Sequence, residues 1–168
     1  MVQVRVLGVA LDAAQQHIVL LKPIFDGVAQ DRVLPIWIGS QEATSILIAL
    51  SNGHVPRPLT HDLMKTVIER LDASVERVEV TRIVEGTFYA EITLAGALES
   101  AVVDARPSDA IALAVRTDAP LFVAESVLEE AGIPASLVDA GDDEAEDERK
   151  LDEFKSFLKD VNPEDFQG

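Results

Sequence analysis

Two alternating runs, Val75–Val84 and Thr87–Leu94, flank the dipeptide Glu85-Gly86, and nothing else in the chain restricts its fold as strongly. Alternation at period two turns one face of each run toward a core. A glycine in a two-residue connection favours an antiparallel hairpin. Upstream, Gln3–Leu11 also alternates and is a predicted strand; the apolar runs His17–Leu21 and Val33–Ile38 are two more, with Pro35 implying an edge position or a bulge in the third. Ser40 is a predicted N-cap for a helix over Gln41–Leu50, with Ala43, Ile46, Leu47 and Leu50 on one face and Asn52-Gly53 as its stop. Thr60 is the predicted cap of a helix to Leu71 that buries Leu63, Val67, Ile68 and Leu71. Glu99–Asp104 and Leu121–Val123 follow as strands, and Pro107–Arg116 and Ser126–Ala131 as helices, the last ended by Gly132. Strands first, then helices among hairpins, predict an α+β fold: a mixed or antiparallel sheet with packed helices, not a regular βαβ alternation.

Beyond this body the character of the chain changes. The net charge is -16, and residues 134–168 hold 12 acids against 4 bases, while the first 133 residues hold 18 against 10. Residues 1–133 are therefore expected to form the domain, 134–143 a linker, and 144–168 an acidic helical tail. Leu151, Phe154, Phe157 and Leu158 make one apolar stripe there, so a C-terminal amphipathic helix is predicted over residues 144–160, stopping at Asn162-Pro163. Its apolar side can dock back on the body, contact a protein partner or fold only on binding, and its acids disfavour membranes and nucleic acid.

The acidic balance argues against binding nucleic acid along a broad basic surface, which relies on Lys and Arg displacing counterions. It leaves room for one local Arg cluster or a metal. With no cysteine, disulfides and thiolate chemistry are excluded. Met1–Val6 alternates like a strand without a signal-peptide pattern, and no apolar run approaches the ~18 residues of a membrane span. A soluble, cytoplasmic protein is expected. The glycines stand singly at bends, so there is no phosphate-cradling loop and no organic cofactor is expected.

Two helix starts carry the polar chemistry. One is Arg57-Pro58-Leu59-Thr60-His61-Asp62; the other is Asp104-Ala105-Arg106-Pro107-Ser108-Asp109. A plain helix start needs one cap and at most a proline, not an arginine set between acids. Arg106 between Asp104 and Asp109 can clamp the strand-to-helix turn. Alternatively, Arg106 and the free N–H groups of the helix start bind an anion, with Ser108 as an added donor. Ser108 lacks the G-x-S-x-G context of a nucleophile. Asp62 can simply favour the positive end of its helix, and so can Glu42; either could instead serve as a base or metal ligand. Three histidines do not make a His-rich zinc site, whereas Mg²⁺ or Mn²⁺ held by Asp62, Asp104 and Asp109 remains open. Trp37 between Ile36 and Ile38 is expected to pack rather than stack a base.

These segments, together with Leu34-Pro35-Ile36-Trp37-Ile38-Gly39, Glu42-Ala43 and Gly86-Thr87-Phe88-Tyr89-Ala90, resemble the bifunctional nuclease family, a bacterial and plant domain. The resemblance covers roughly residues 2–133. It implies an α+β fold, self-association into a homo-oligomer, and cleavage of both DNA and RNA. Site residues are assigned on chemical grounds at the motif positions. Glu42, His61, Asp62, Asp104 and Asp109 are the candidate catalytic groups, and some of the carboxylates would hold a divalent ion that activates water. Arg57, Thr60, Arg106 and Ser108 are the candidate substrate contacts. His61 would protonate the leaving oxygen. The opposing reading is a non-enzymatic oligomeric module that binds a protein or a small anion, with the same motifs serving as structural ion pairs.

Overall fold

The computed structural model describes residues 1–25, 31–53, 55–96 and 100–138. Its strands are β1 (Val2–Leu11), β2 (His17–Pro23), β3 (Arg32–Ile38), β4 (Ser74–Val84), β5 (Thr87–Ala95), β6 (Ser100–Ala105), β7 (Leu121–Val123) and β8 (Ile133–Pro134). Its helices are α1 (Ser40–Leu50), α2 (Thr60–Arg70), α3 (Pro107–Thr117) and α4 (Glu125–Ala131). The eight strands form one sheet in the order β6-β5-β4-β7-β1-β2-β3-β8, as an α+β fold requires. Among the described residues only β4 and β7 pair parallel; the other neighbours are antiparallel. The predicted helix over residues 144–160 lies outside the described residues.

The hairpin forms as the alternation demands. Glu85 (φ 50°) and Gly86 (φ 77°) both take positive φ, the requirement of a type I′ turn whose twist matches the strands it joins. Pro35 is tolerated because β8 pairs with β3 only at Arg32 and Val33, so β3 has no outer partner strand at the proline. The segment after Ile133, expected to be linker, begins as part of the body. Pro134 pairs with Arg32, and Ala135 is buried.

Ile18, Val19, Leu20 and Leu21 are all buried, so β2 is covered on both faces. Val19 and Leu21 join the main core with Ile46, Val78, Val80 and the apolar run Ala110–Ala114 of α3. Leu20 joins a smaller core with Val33, Ile133 and Ala135. Small residues along α3 let it seat closely against α1, α2 and the strands β4 and β5. Trp37 packs as expected, and its indole N–H donates to the buried Asp12 carboxylate at 3.0 Å. Asp12 also accepts the Ala14 and Gln16 N–H groups, which closes the β1–β2 turn.

Three sequence expectations need correction. Gly39, not Ser40, is the N-cap of α1. Leu59, not Thr60, is the N-cap of α2, and its N–H is taken by the Asp62 carboxylate at 2.8 Å. The third concerns the rotation of α2. Leu63, Val67 and Leu71 are 57%, 48% and 73% exposed, while His61 is buried and Ile68 partly so. Polar contacts set that rotation. His61 and Asp62 engage side chains of α3, and Lys65 Nζ donates to the Arg116 carbonyl at 2.8 Å. These bonds turn the expected apolar stripe outward.

Candidate active site

The N-termini of α1, α2 and α3 meet at a cleft of about 770 Å³, lined by Ser40, Gln41, Glu42, Thr44, Ser45, Ile48, Pro58–His61, Arg106 and Asp109. Each polar group arrives by local chain logic. Glu42 stands in the first turn of α1, where its charge is favoured by the helix dipole. Arg106 is the extended residue that caps α3 before Pro107, and Asp109 stands three residues on. His61 opens α2.

Side chains from all three helices form one bonded chain. Glu42 Oε1 accepts from Arg106 Nη2 at 2.8 Å, and Asp109 Oδ2 accepts from Arg106 Nε at 2.8 Å. The other Asp109 oxygen lies 3.0 Å from His61 Nε2, and His61 Nδ1 lies 2.9 Å from Ser45 Oγ. The carboxylate assigns the imidazole proton to Nε2, leaving Nδ1 to accept the Ser45 hydroxyl. Exposure falls along the chain, from 56% at the Arg106 side chain to 7% at His61. The carboxylates of Asp109 and Glu42 hold the Arg106 guanidinium still more firmly protonated. Arg106 Nη1 has no hydrogen-bond partner among the described residues. The N–H groups of Thr60 and His61, in the first turn of α2, have no intrahelical carbonyl to bond. The cleft thus offers an anion two kinds of donor beside a partly buried imidazole–carboxylate pair.

Of the residues singled out in the sequence, Glu42, Thr60, His61, Arg106 and Asp109 come together here. The others do not. Asp62 points to α3, where Arg116 Nε donates to it at 2.6 Å. Burial pushes its carboxyl up, but the Arg116 bond, the Leu59 N–H and the charges of Arg116 and His61 outweigh burial and hold it below the usual carboxylate range. Asp104 pairs in register with Glu91 of β5, whose neighbours Ala90 and Ile92 face the core. Asp104 therefore lies on the sheet face away from the helices, and its side of the motif is separated from Asp109 by the sheet itself. Arg57 is exposed and outside the cleft lining, and Ser108 is buried outside it.

This arrangement does not fit a divalent ion on Asp62, Asp104 and Asp109. The first is tied to Arg116, the second stands on the other sheet face, and both oxygens of the third are engaged. No group of three or more His, Asp or Glu among the described residues is placed to hold a metal. Two site residues escaped the sequence reading. Ser45 is buried within α1, and the Arg116 side chain near the end of α3 is only 6% exposed. Arg116 binds Asp62, the Ala112 carbonyl and the Ser45 carbonyl together. Neither carried a signal in the sequence, where Ser45 reads as an ordinary helical serine beside Thr44 and Arg116 as a charge near a helix end.

The bifunctional nuclease domain matches residues 24–136, a span that contains every cleft-lining residue. The chain belongs to the bifunctional nuclease domain family. Among its relatives, the uncharacterized protein Rv1829 of Mycobacterium tuberculosis is 40% identical over 169 residues, covering 99% of this chain and 98% of that protein. Bifunctional nuclease 1 of Oryza sativa subsp. japonica is 34% identical over 115 residues, 67% of this chain and 34% of that protein. Bifunctional nuclease 2 of Arabidopsis thaliana is 32% identical over 94 residues, 54% of this chain and 29% of that protein. The plant proteins thus carry the family domain within longer chains. No helix among the described residues is long and apolar enough to cross a membrane.

Proposed function

We propose that this member of the bifunctional nuclease family hydrolyses phosphodiester bonds of DNA and RNA in the cleft at the N-termini of α1, α2 and α3. One observation carries the reading: the pair of buried His61 and half-buried Asp109 opens into a cleft rimmed by Arg106 and by the first turn of α2. In the proposed reaction a phosphodiester oxygen lies against Arg106 Nη1 and the Thr60 N–H. His61 moves the proton, Asp109 holds its ring, and Glu42 holds Arg106 in place. A divalent ion, Mg²⁺ or Mn²⁺, enters this scheme only if Arg106 swings away and frees Glu42 and Asp109.

The test is cleavage of labelled single- and double-stranded DNA and RNA by highly purified protein with Mg²⁺, Mn²⁺ or EDTA. Arg106→Ala is expected to cut about 10²–10³-fold more slowly, with Asp104→Asn cutting as the wild type. Wild-type rates in a folded Arg106→Ala protein would move the site elsewhere.

The exposed stripe of Leu63, Val67 and Leu71 favours a second element of the reading, a homo-oligomer that covers α2 with another copy of the chain. Val67→Glu is then expected to lower the mass seen by sedimentation. An unchanged mass would place any self-association on another face.

A further inference from the structure

Helical hydroxyls ordinarily bond back to the carbonyl one turn earlier. Thr44, Thr66 and Thr117 all do so, to Ser40, Asp62 and Leu113, each at 2.9 Å. Ser45 does not. Its hydroxyl turns out of α1 to His61 Nδ1 at 2.9 Å, and Arg116 Nη2 holds its carbonyl at 3.1 Å. Both ring nitrogens of His61 are occupied, one by Asp109 and the other by Ser45. The imidazole therefore has no free nitrogen to offer a substrate, and the atom through which it can act in the cleft is Ser45 Oγ. A hydroxyl on the acceptor nitrogen of an imidazole, with a carboxylate on its opposite N–H, is the arrangement that activates a serine.

We propose that Ser45 is the nucleophile of this site, attacking a phosphodiester to form a covalent phosphoserine. The proposal rests on reading the cleft as a phosphodiester hydrolase. In the first step Ser45 Oγ forms a bond to phosphorus as its proton passes to His61 Nδ1, and Asp109 stabilises the resulting imidazolium. The bond from phosphorus to the leaving sugar oxygen breaks, and that oxygen keeps the electron pair and takes a proton from water at the open mouth of the cleft. In the second step the hydroxide so formed attacks phosphorus. Ser45 Oγ leaves with its electron pair and recovers its proton from His61. The sum is one diester plus one water giving one monoester and one alcohol.

Two measurements on the full chain test this. The first treats the protein with diisopropyl fluorophosphate and reads intact mass and peptide maps, which requires no nuclease activity. One diisopropylphosphoryl adduct on Ser45 is expected, absent from Ser45→Ala and from His61→Gln, with both variants checked for folding by circular dichroism. The second cleaves a single-diastereomer phosphorothioate diester in H₂¹⁸O. Two displacements give net retention at phosphorus, whereas direct attack by water gives inversion. Retention is expected. Inversion, or the absence of an adduct, overturns the proposal, and inversion does so while leaving the nuclease reading standing. An adduct on Ser45 in a protein that cuts no nucleic acid supports the nucleophile and retires the nuclease reading instead.

Discussion

His61→Gln is expected to lower the rate of nucleic-acid cleavage by about 10²–10⁴-fold, the range over which a positioned acid–base group contributes. Glutamine is close to histidine in length and can still donate to Asp109, but it cannot take up and return a proton. The loss should therefore fall on kcat, with KM little changed, because Arg106 and the first turn of α2 still bind the phosphate. The fold should survive, since the substitution keeps a polar partner for Asp109 where His61 is buried. Steady-state kinetics beside a thermal melt check this. A variant that melts like the wild type and cuts at its rate removes His61 from the chemistry.

Arg116→Met is expected to cost about 2 kcal/mol of stability, the order of a lost hydrogen bond to a charged group, because the Asp62 carboxylate left behind is 30% exposed and reaches water; the melting temperature falls by roughly 6 °C. The Arg116 side chain is only 6% exposed and serves three acceptors at once. Methionine fills the space but leaves Asp62 without its cation and the Ser45 carbonyl without that donor. The variant should also change the response to acid. The folded-state pKa of Asp62 is lowered, so its contribution is fully present above the unfolded value of about 3.9 and is lost as pH falls through the folded value. Wild-type stability should consequently fall more steeply than that of Arg116→Met as pH drops below about 4. Parallel acid titrations of the melting temperature would reveal a common slope if Arg116 did not hold Asp62.

Much of the fold was legible because local rules agree with the global arrangement. Glu85-Gly86 could hardly be anything but a turn, and Leu121–Val123 falls where three apolar residues before Ala124 suggested a strand. The rotation of α2 was not legible. Leu63, Val67 and Leu71 form a stripe that hydrophobic periodicity assigns to the core, yet bonds from His61, Asp62 and Lys65 to α3 turn it outward. The candidate site divided in the same way. Arg106, Asp109, Glu42 and His61 stand at helix starts, and helix starts converge. Asp104 looked like part of the same motif because it lies two residues from Arg106, but strand register carries it to the other sheet face. Asp62 is next to His61 in the chain and about 100° from it around the helix, enough to give it a different partner. Ser45 was hidden because only the tertiary approach of α2 distinguishes it from an ordinary serine in an apolar helix.

The three residues of β7 have a consequence for how this molecule is made. The chain before them contains two local meanders, β1-β2-β3 and β4-β5-β6, which among the described residues touch each other in the sheet only through Leu121–Val123. That segment pairs antiparallel with Val2–Val4 and parallel with Val78–Val80. During synthesis both meanders emerge from the ribosome before the strand that joins them, and each waits with an open edge at β1 or β4. A chain stalled or cut before Leu121 would consist of two half-sheets with exposed seams, a form prone to pair with its neighbours instead of with itself. Completion of the fold is thus a late, long-range event, set by the arrival of a single short strand.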